Sequence, residues 1–151
     1  MKNKRLKPGT VAPDFRSELW DGSSFELKSC QGKKTWIAFF RYASCPLCNL
    51  RVHEMIRQHD NLKKFGLEVI TVFQSPKESI SEYVGKQKPP FSLISDPEEA
   101  LYGLYGLDAS TLGFFYSGSL PLLKKTFGLG FKMGRREGTV TRISADFQVN
   151  S

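Results

Sequence analysis

Residues 35 to 73 constrain this chain more than any other stretch. "TWIAFFRY", Thr35 to Tyr42, is short, aromatic and nearly free of polar interruption. That pattern predicts a strand buried on both faces of a sheet. Pro46 then opens a predicted helix running to about Phe65. Leu50, Val52, Met55, Ile56, Leu62 and Phe65 form its apolar stripe, Lys63 and Lys64 fill its last turn, and Gly66 ends it. "LEVITVF", Leu67 to Phe73, reads as a second buried strand. Strand, helix and strand in this order imply a parallel pair with a right-handed crossover, hence an α/β fold.

The flanking segments fit around that unit. "DFRSELWDGSSFELKS" holds two short extended runs about Asp21-Gly22, which predicts a β-hairpin. "SPKESISEYVGKQ" reads as a second helix opened by Ser75 and Pro76, and "FSLISD" as a short strand. "PEEALYGLYG" reads as a short helix opened by Asp96 and Pro97 and closed by Gly106. Residues 108 to 140 are rich in glycine and aromatics and give no clear element. "GLGFKMG" lies there, without the glycine spacing of a dinucleotide site. "TVTRISADFQV" closes the chain as a strand. With 151 residues and 40% of them hydrophobic, one domain over 1-151 is expected, residues 1-7 being a flexible basic arm.

The formal charge is +7. It gathers in the arm (Lys2, Lys4, Arg5, Lys7) and between Lys124 and Arg136. No aromatic-interleaved RNA motif accompanies it, so a solvated arm and loop are expected, and no nucleic-acid partner. No run approaches the roughly 18 apolar residues of a membrane span. The basic start lacks a following apolar core, so no secretory signal is expected and the cytoplasm is the default compartment.

"RYASCPLCN" carries two of the three cysteines, Cys45 and Cys48. An odd, low count argues against a disulfide scaffold. The predicted geometry puts Cys45 at the helix N-cap and Cys48 one turn in. Unpaired N–H groups and the macrodipole favour an anion there, so a lowered thiol pKa is expected. Arg41 and Arg51 add positive potential, and Pro46 sets the helix start. Cys45 is expected to be the more accessible sulfur, with Cys48 placed to attack a mixed disulfide. A zinc site through Cys45, Cys48, His53 and His59 fits poorly, since the two histidines sit six residues apart on one helix. No metal and no bound cofactor are expected. Cys30 lacks this context and reads as a packing residue.

The strand–CPLC–helix arrangement resembles the thioredoxin-like superfamily. The fuller layout is similar to its peroxiredoxin-like branch, related to alkyl hydroperoxide reductases and thiol-specific antioxidants. "PGTVAPDFRSELWDGSSFEL", "KKTWIAFFRYASCPLCNLRVHEM", "ITVFQSP" and "PFSLISDPEEALYGLYGL" carry the likeness over most of residues 8 to 107. It implies a thioredoxin-like sheet with helices on both faces and an N-terminal β-hairpin extension. It also implies a thiol-dependent antioxidant oxidoreductase, reducing peroxides or disulfides through a Cys45/Cys48 pair. A thioredoxin- or glutathione-type thiol donor would recycle that pair.

The resemblance leaves the order of attack open. In a thioredoxin-type cycle Cys45 attacks a substrate disulfide and Cys48 resolves it. Peroxiredoxin spacing instead gives Cys48 the peroxidatic role, with Cys45 in place of the usual Thr or Ser and Arg41 in place of a proline. Matching Phe147 to the family's late strand puts Ser144 where an arginine or a cis-proline is usual, with Arg142 two residues earlier. Similar proteins also continue into a further strand and helix. A chain shortened at the C-terminus would expose a sheet edge, so low stability or homo-oligomer formation through that region is expected. The alternative function is a catalytically weak thioredoxin-fold binding or regulatory module.

Overall fold

The computed structural model describes residues 6–107, 119–131, 134–139 and 144–150, with only the backbone for 119–123. A small hairpin comes first, β1 (Arg16–Glu18) and β2 (Ser24–Glu26). Its turn is closed by Asp21, whose Oδ1 accepts the Ser23 N–H at 2.9 Å and the Ser23 hydroxyl at 2.6 Å. The hairpin docks on the main sheet through Trp20 N–H, which donates to Leu93 O at 3.0 Å.

The main sheet has four strands: β3 (Lys34–Phe39), β4 (Leu67–Phe73), β5 (Ser92–Ser95) and β6 (Ala145–Val149). Their order is β5-β4-β3-β6. β3 and β4 are parallel with Ile37 opposite Ile70, β4 and β5 are parallel, and β6 runs antiparallel to β3. The parallel pair joined through a helix is the unit expected from residues 35 to 73. β3 ends at Phe39, earlier than expected. Pairing continues as Phe40 N–H to Val72 O and Gln74 N–H to Arg41 O before the chain turns.

Alternation along the strands divides the core. Ile37, Phe39, Ile70, Val72 and Ile94 face one side; Ala38, Phe40, Val69, Phe73 and Leu93 face the other. Helices cover both. Burying each such large apolar side chain contributes about 2 kcal/mol. The first side packs on α3 (Ala100–Leu104), through Leu101 and Tyr102. The second packs on α1 (Pro46–Lys64) and α2 (Lys77–Glu82), through Cys48, Val52, Met55 and Ile80. α1 has Pro46 at its start and Lys63 and Lys64 in its last turn, as expected. Phe65 leaves the predicted stripe: it is the C-cap and stands 81% exposed.

Three local readings change. Pro76, not Ser75, caps α2, because the Ser75 hydroxyl accepts the Ala43 N–H at 2.8 Å. α3 begins at Ala100, where the Asp96 carboxylate accepts the N–H groups of Ala100 at 3.0 Å and Leu101 at 2.8 Å. The third is a helix, α4 (Ser119–Gly128), in the stretch where no element was predicted. It packs beside α1, with Lys125 Nζ 2.7 Å from Glu54 Oε1. Gly130, at φ +81°, ends it: Phe131 N–H donates to Thr126 O and Gly130 N–H to Phe127 O, a Schellman closure. The glycines of "GLGF" thus serve a helix end.

Candidate active site

The two cysteines sit where β3 hands over to α1, at the carboxyl ends of the parallel strands. Cys45 is the N-cap of α1 and Pro46 its first residue. Cys45 is 1% exposed and Cys48 4%, so neither sulfur is the open one that the sequence suggested for Cys45. Both are free thiols.

Their electrostatics differ sharply. The Arg41 Nη2 group donates to Cys45 Sγ at 3.1 Å. A hydrogen bond from the Cys48 thiol is the largest influence on Cys45. Burial opposes it, the Arg41 charge reinforces it, and the result falls from an ordinary 9.0 to about 6. Cys48 moves the other way. Its hydrogen bond to Cys45, its burial and the neighbouring Cys45 charge hold its proton well above the ordinary range. Near neutral pH the pair is therefore a Cys45 thiolate held by a Cys48 thiol and a guanidinium.

The turn carrying Cys45 is fixed by groups that sequence reasoning did not single out. Asn49, one turn into α1 and buried, donates its amide to Ala43 O at 2.7 Å and to Cys45 O at 3.0 Å. Gln87 in turn donates to Asn49 Oδ1 at 3.1 Å. The fully buried Tyr102 hydroxyl approaches Phe40 O at 2.5 Å and Val72 O at 3.0 Å, pinning the ends of β3 and β4. The available signal for Asn49 was its type: a buried, uncharged amide four residues after an N-cap serves the cap's own carbonyl.

The other expected residues are placed as follows. Arg51 does not join the sulfurs: its Nη2 lies 2.6 Å from Asp146 Oδ2, and its guanidinium sits 5.6 Å from the Phe40 ring centroid. Asp146 Oδ1 also accepts from Trp36 Nε1 at 3.1 Å, so β6 is clamped to β3 and α1 there. Ser144 is half-buried and directly precedes the Ala145–Phe39 pair, at the cysteine end of the sheet. Arg142 lies outside the described residues. Cys30 is buried in the core on the opposite side of the sheet. His53 packs toward Phe131 and His59 toward Phe91. Among the described residues no group of three or more His, Cys, Asp or Glu side chains forms a metal cage, and no helix is long and apolar enough to cross a membrane.

A short strap crosses this end of the molecule. The Ser44 hydroxyl donates to Arg135 O, and the Ser79 hydroxyl to Glu137 Oε1. Thr139 N–H reaches Gln74 Oε1 and Glu99 Oε1, both at 2.8 Å. None of these contacts was foreseen, since the partners lie 40 to 91 residues apart in the chain.

The chain is similar to known proteins. Peroxiredoxin Bcp of Escherichia coli (strain K12) is 29% identical over 116 residues, 75% of this chain and 74% of its own. The crystal structure of Peroxidoxin BcpB from Mycobacterium tuberculosis superposes with a TM-score of 0.65 at 15% identity, covering 72% of this chain and 71% of that one. Peroxiredoxin Q of Xanthomonas campestris gives 0.58 at 22% identity, covering 74% and 70%. These two structures establish a common thioredoxin-like fold. The model of the AhpC/TSA family matches residues 8–127, from the chain before the hairpin into α4. The chain belongs to the AhpC/TSA family.

Proposed function

We propose that the protein is a thiol-dependent peroxidase in which Cys45 makes the first attack. The observation that carries this is the Arg41–Cys45 contact at 3.1 Å, beside a Cys48 thiol that keeps its proton. The thiolate sulfur attacks the terminal oxygen of a hydroperoxide. An S–O bond forms, the O–O bond breaks, and the leaving alkoxide or hydroxide takes a proton from solvent. Cys48 then attacks the Cys45 sulfenic acid, forming the S–S bond and releasing water. A thioredoxin- or glutathione-type donor supplies two electrons and two protons to restore both thiols. No metal or bound cofactor enters.

This assigns the attack to Cys45 although family spacing points to Cys48. The Arg41 contact supports this reading: a nucleophile needs its thiolate, and the guanidinium donates to the Cys45 sulfur at 3.1 Å. Pro46 supports Cys45 by fixing the N-cap, and Ser144 stands at the same end of the sheet. We place the protein in a reducing compartment such as the cytoplasm, where a thiol donor is at hand. β6 closes the described sheet, so its outer edge is the surface through which two copies would associate. The test is peroxide consumption with a dithiol donor. Steady turnover that vanishes in Cys45→Ser supports the proposal; unchanged turnover in that variant contradicts it.

Burial of both sulfurs favours one second reading, a binding or regulatory module whose pair turns over little. A pair that oxidises slowly and consumes no peroxide would establish it.

A further inference from the structure

We propose that residues 134–139 form a strap that sizes access to Cys45: it admits a small oxidant and must lift before a protein thiol donor can reach the Cys45–Cys48 disulfide. The inference rests on the peroxidase reading above for its two reactants, but the strap is argued from contacts alone.

The strap is tied at both ends and in the middle. Arg135 O accepts from the hydroxyl of Ser44, the residue joined directly to Cys45. Glu137 accepts from Ser79 at the start of α2. Thr139 donates through its N–H to Gln74 and Glu99, and through its hydroxyl to Glu99 Oε2 at 3.1 Å. Glu99 reaches it from a left-handed backbone, φ 57°, a conformation uncommon outside glycine. Two glycines let the strap lie flat. A Cβ on Gly134 would stand 2.5 Å from the Tyr83 hydroxyl oxygen, and one on Gly138 2.6 Å from Gln74 Oε1. The Ser44–Arg135 bond brings this closely seated strap beside the CPLC turn, where Cys45 is 1% exposed.

The closed position is also incompletely satisfied. Gln74 Nε2 and Glu137 Oε2, one donor and one acceptor at the strap's seam, are buried without a partner. Water would satisfy both once the strap lifts. The strap is thus held by several hydrogen bonds yet carries two polar atoms that gain partners on opening, the balance expected of a moving cover. A hydroperoxide is small enough to use transient openings. A folded donor protein must bring its own sulfur into line with the disulfide, and has no such route while Arg135 is bound to Ser44.

The experiment compares two thiol reagents on the reduced, full-length protein: iodoacetamide and a maleimide carrying a long polyethylene glycol chain. Both are read at Cys45 by mass spectrometry in wild type, Gly138→Val and Glu99→Ala. Each rate is scaled to that of a free cysteine peptide. Wild type should react far more slowly with the bulky reagent than with the small one. Each variant should raise the bulky rate by about tenfold or more, Glu99→Ala by removing the carboxylate that holds Thr139 and Gly138→Val by its clash with Gln74 and Glu99, with the small-reagent rate little changed. Glu99→Ala keeps the test valid if Gly138→Val fails to fold. Equal scaled rates in wild type, or variants that raise both rates alike, would overturn the strap's role. Size selection in a protein that consumes no peroxide would uphold the strap and overturn the peroxidase reading instead.

Discussion

The Arg41 guanidinium donates to the Cys45 sulfur at 3.1 Å, from a residue just beyond the end of β3 to the residue that caps α1. The same turn of chain that starts the helix therefore supplies both the anion and its cation. Arg41→Met removes the cation while keeping most of the side-chain bulk. We expect the Cys45 pKa to rise from about 6 by roughly one unit. Ultraviolet titration of the thiolate in Arg41→Met, compared with the parent protein with both cysteines in place, reads this shift.

The pH dependence of stability follows from the same group. Cys45 titrates at 9.0 when unperturbed and at about 6 in the fold. Between these values the unfolded chain binds more protons, so stability rises with pH. The contribution is fully present above about 9 and is lost as the pH falls through about 6. Cys48 has the opposite sign, since its folded thiol keeps a proton that the unfolded chain releases above 9. Reduced wild type should therefore gain melting temperature from pH 6 to pH 8, relative to Cys45→Ser. Parallel curves for the two proteins would contradict this.

Asn49→Ala takes the side-chain donor from the buried Ala43 carbonyl, while the Cys45 carbonyl keeps the backbone N–H of residue 49 at 3.0 Å and Gln87 keeps that residue's backbone O at 3.0 Å. Buried polar groups left unpaired cost about 1–3 kcal/mol each. Chemical denaturation should show a loss within that range. The Cys45 thiolate titration should broaden or shift as its turn loosens.

Tyr102→Phe removes the hydroxyl that holds Phe40 O and Val72 O together. The ring still packs edge-on against Phe39, 5.1 Å between centroids. The loss should therefore be confined to hydrogen bonding, about 1–2 kcal/mol by denaturant midpoint. A larger fall would mean that the ring had also lost its seat.

How far these features were legible from sequence depends on the distance over which each is decided. β3, α1 and β4 follow from local alternation, Pro46 and Gly66, and the structure holds them nearly as expected. The N-cap placement of Cys45 follows from the same signals. The burial of that sulfur does not, because Cys45 packs in a cluster with residues as distant in the chain as Ile80, Val84 and Leu93. Arg51 illustrates the same limit: its charge is drawn to Asp146, 95 positions later, and not to the nearer cysteines. α4 escaped notice because its segment mixes glycine and proline with apolar residues and offers no clean helical stripe; its packing beside α1 decides it.

The central claim is that Cys45 attacks first. A brief peroxide pulse on Cys48→Ser and, separately, on Cys45→Ser, followed by sulfenic-acid trapping and mass spectrometry, tests it most directly. The account predicts a trapped sulfenic acid on Cys45 in the first variant and little modification of Cys48 in the second. Rapid trapping on Cys48 with an inert Cys45 would contradict it.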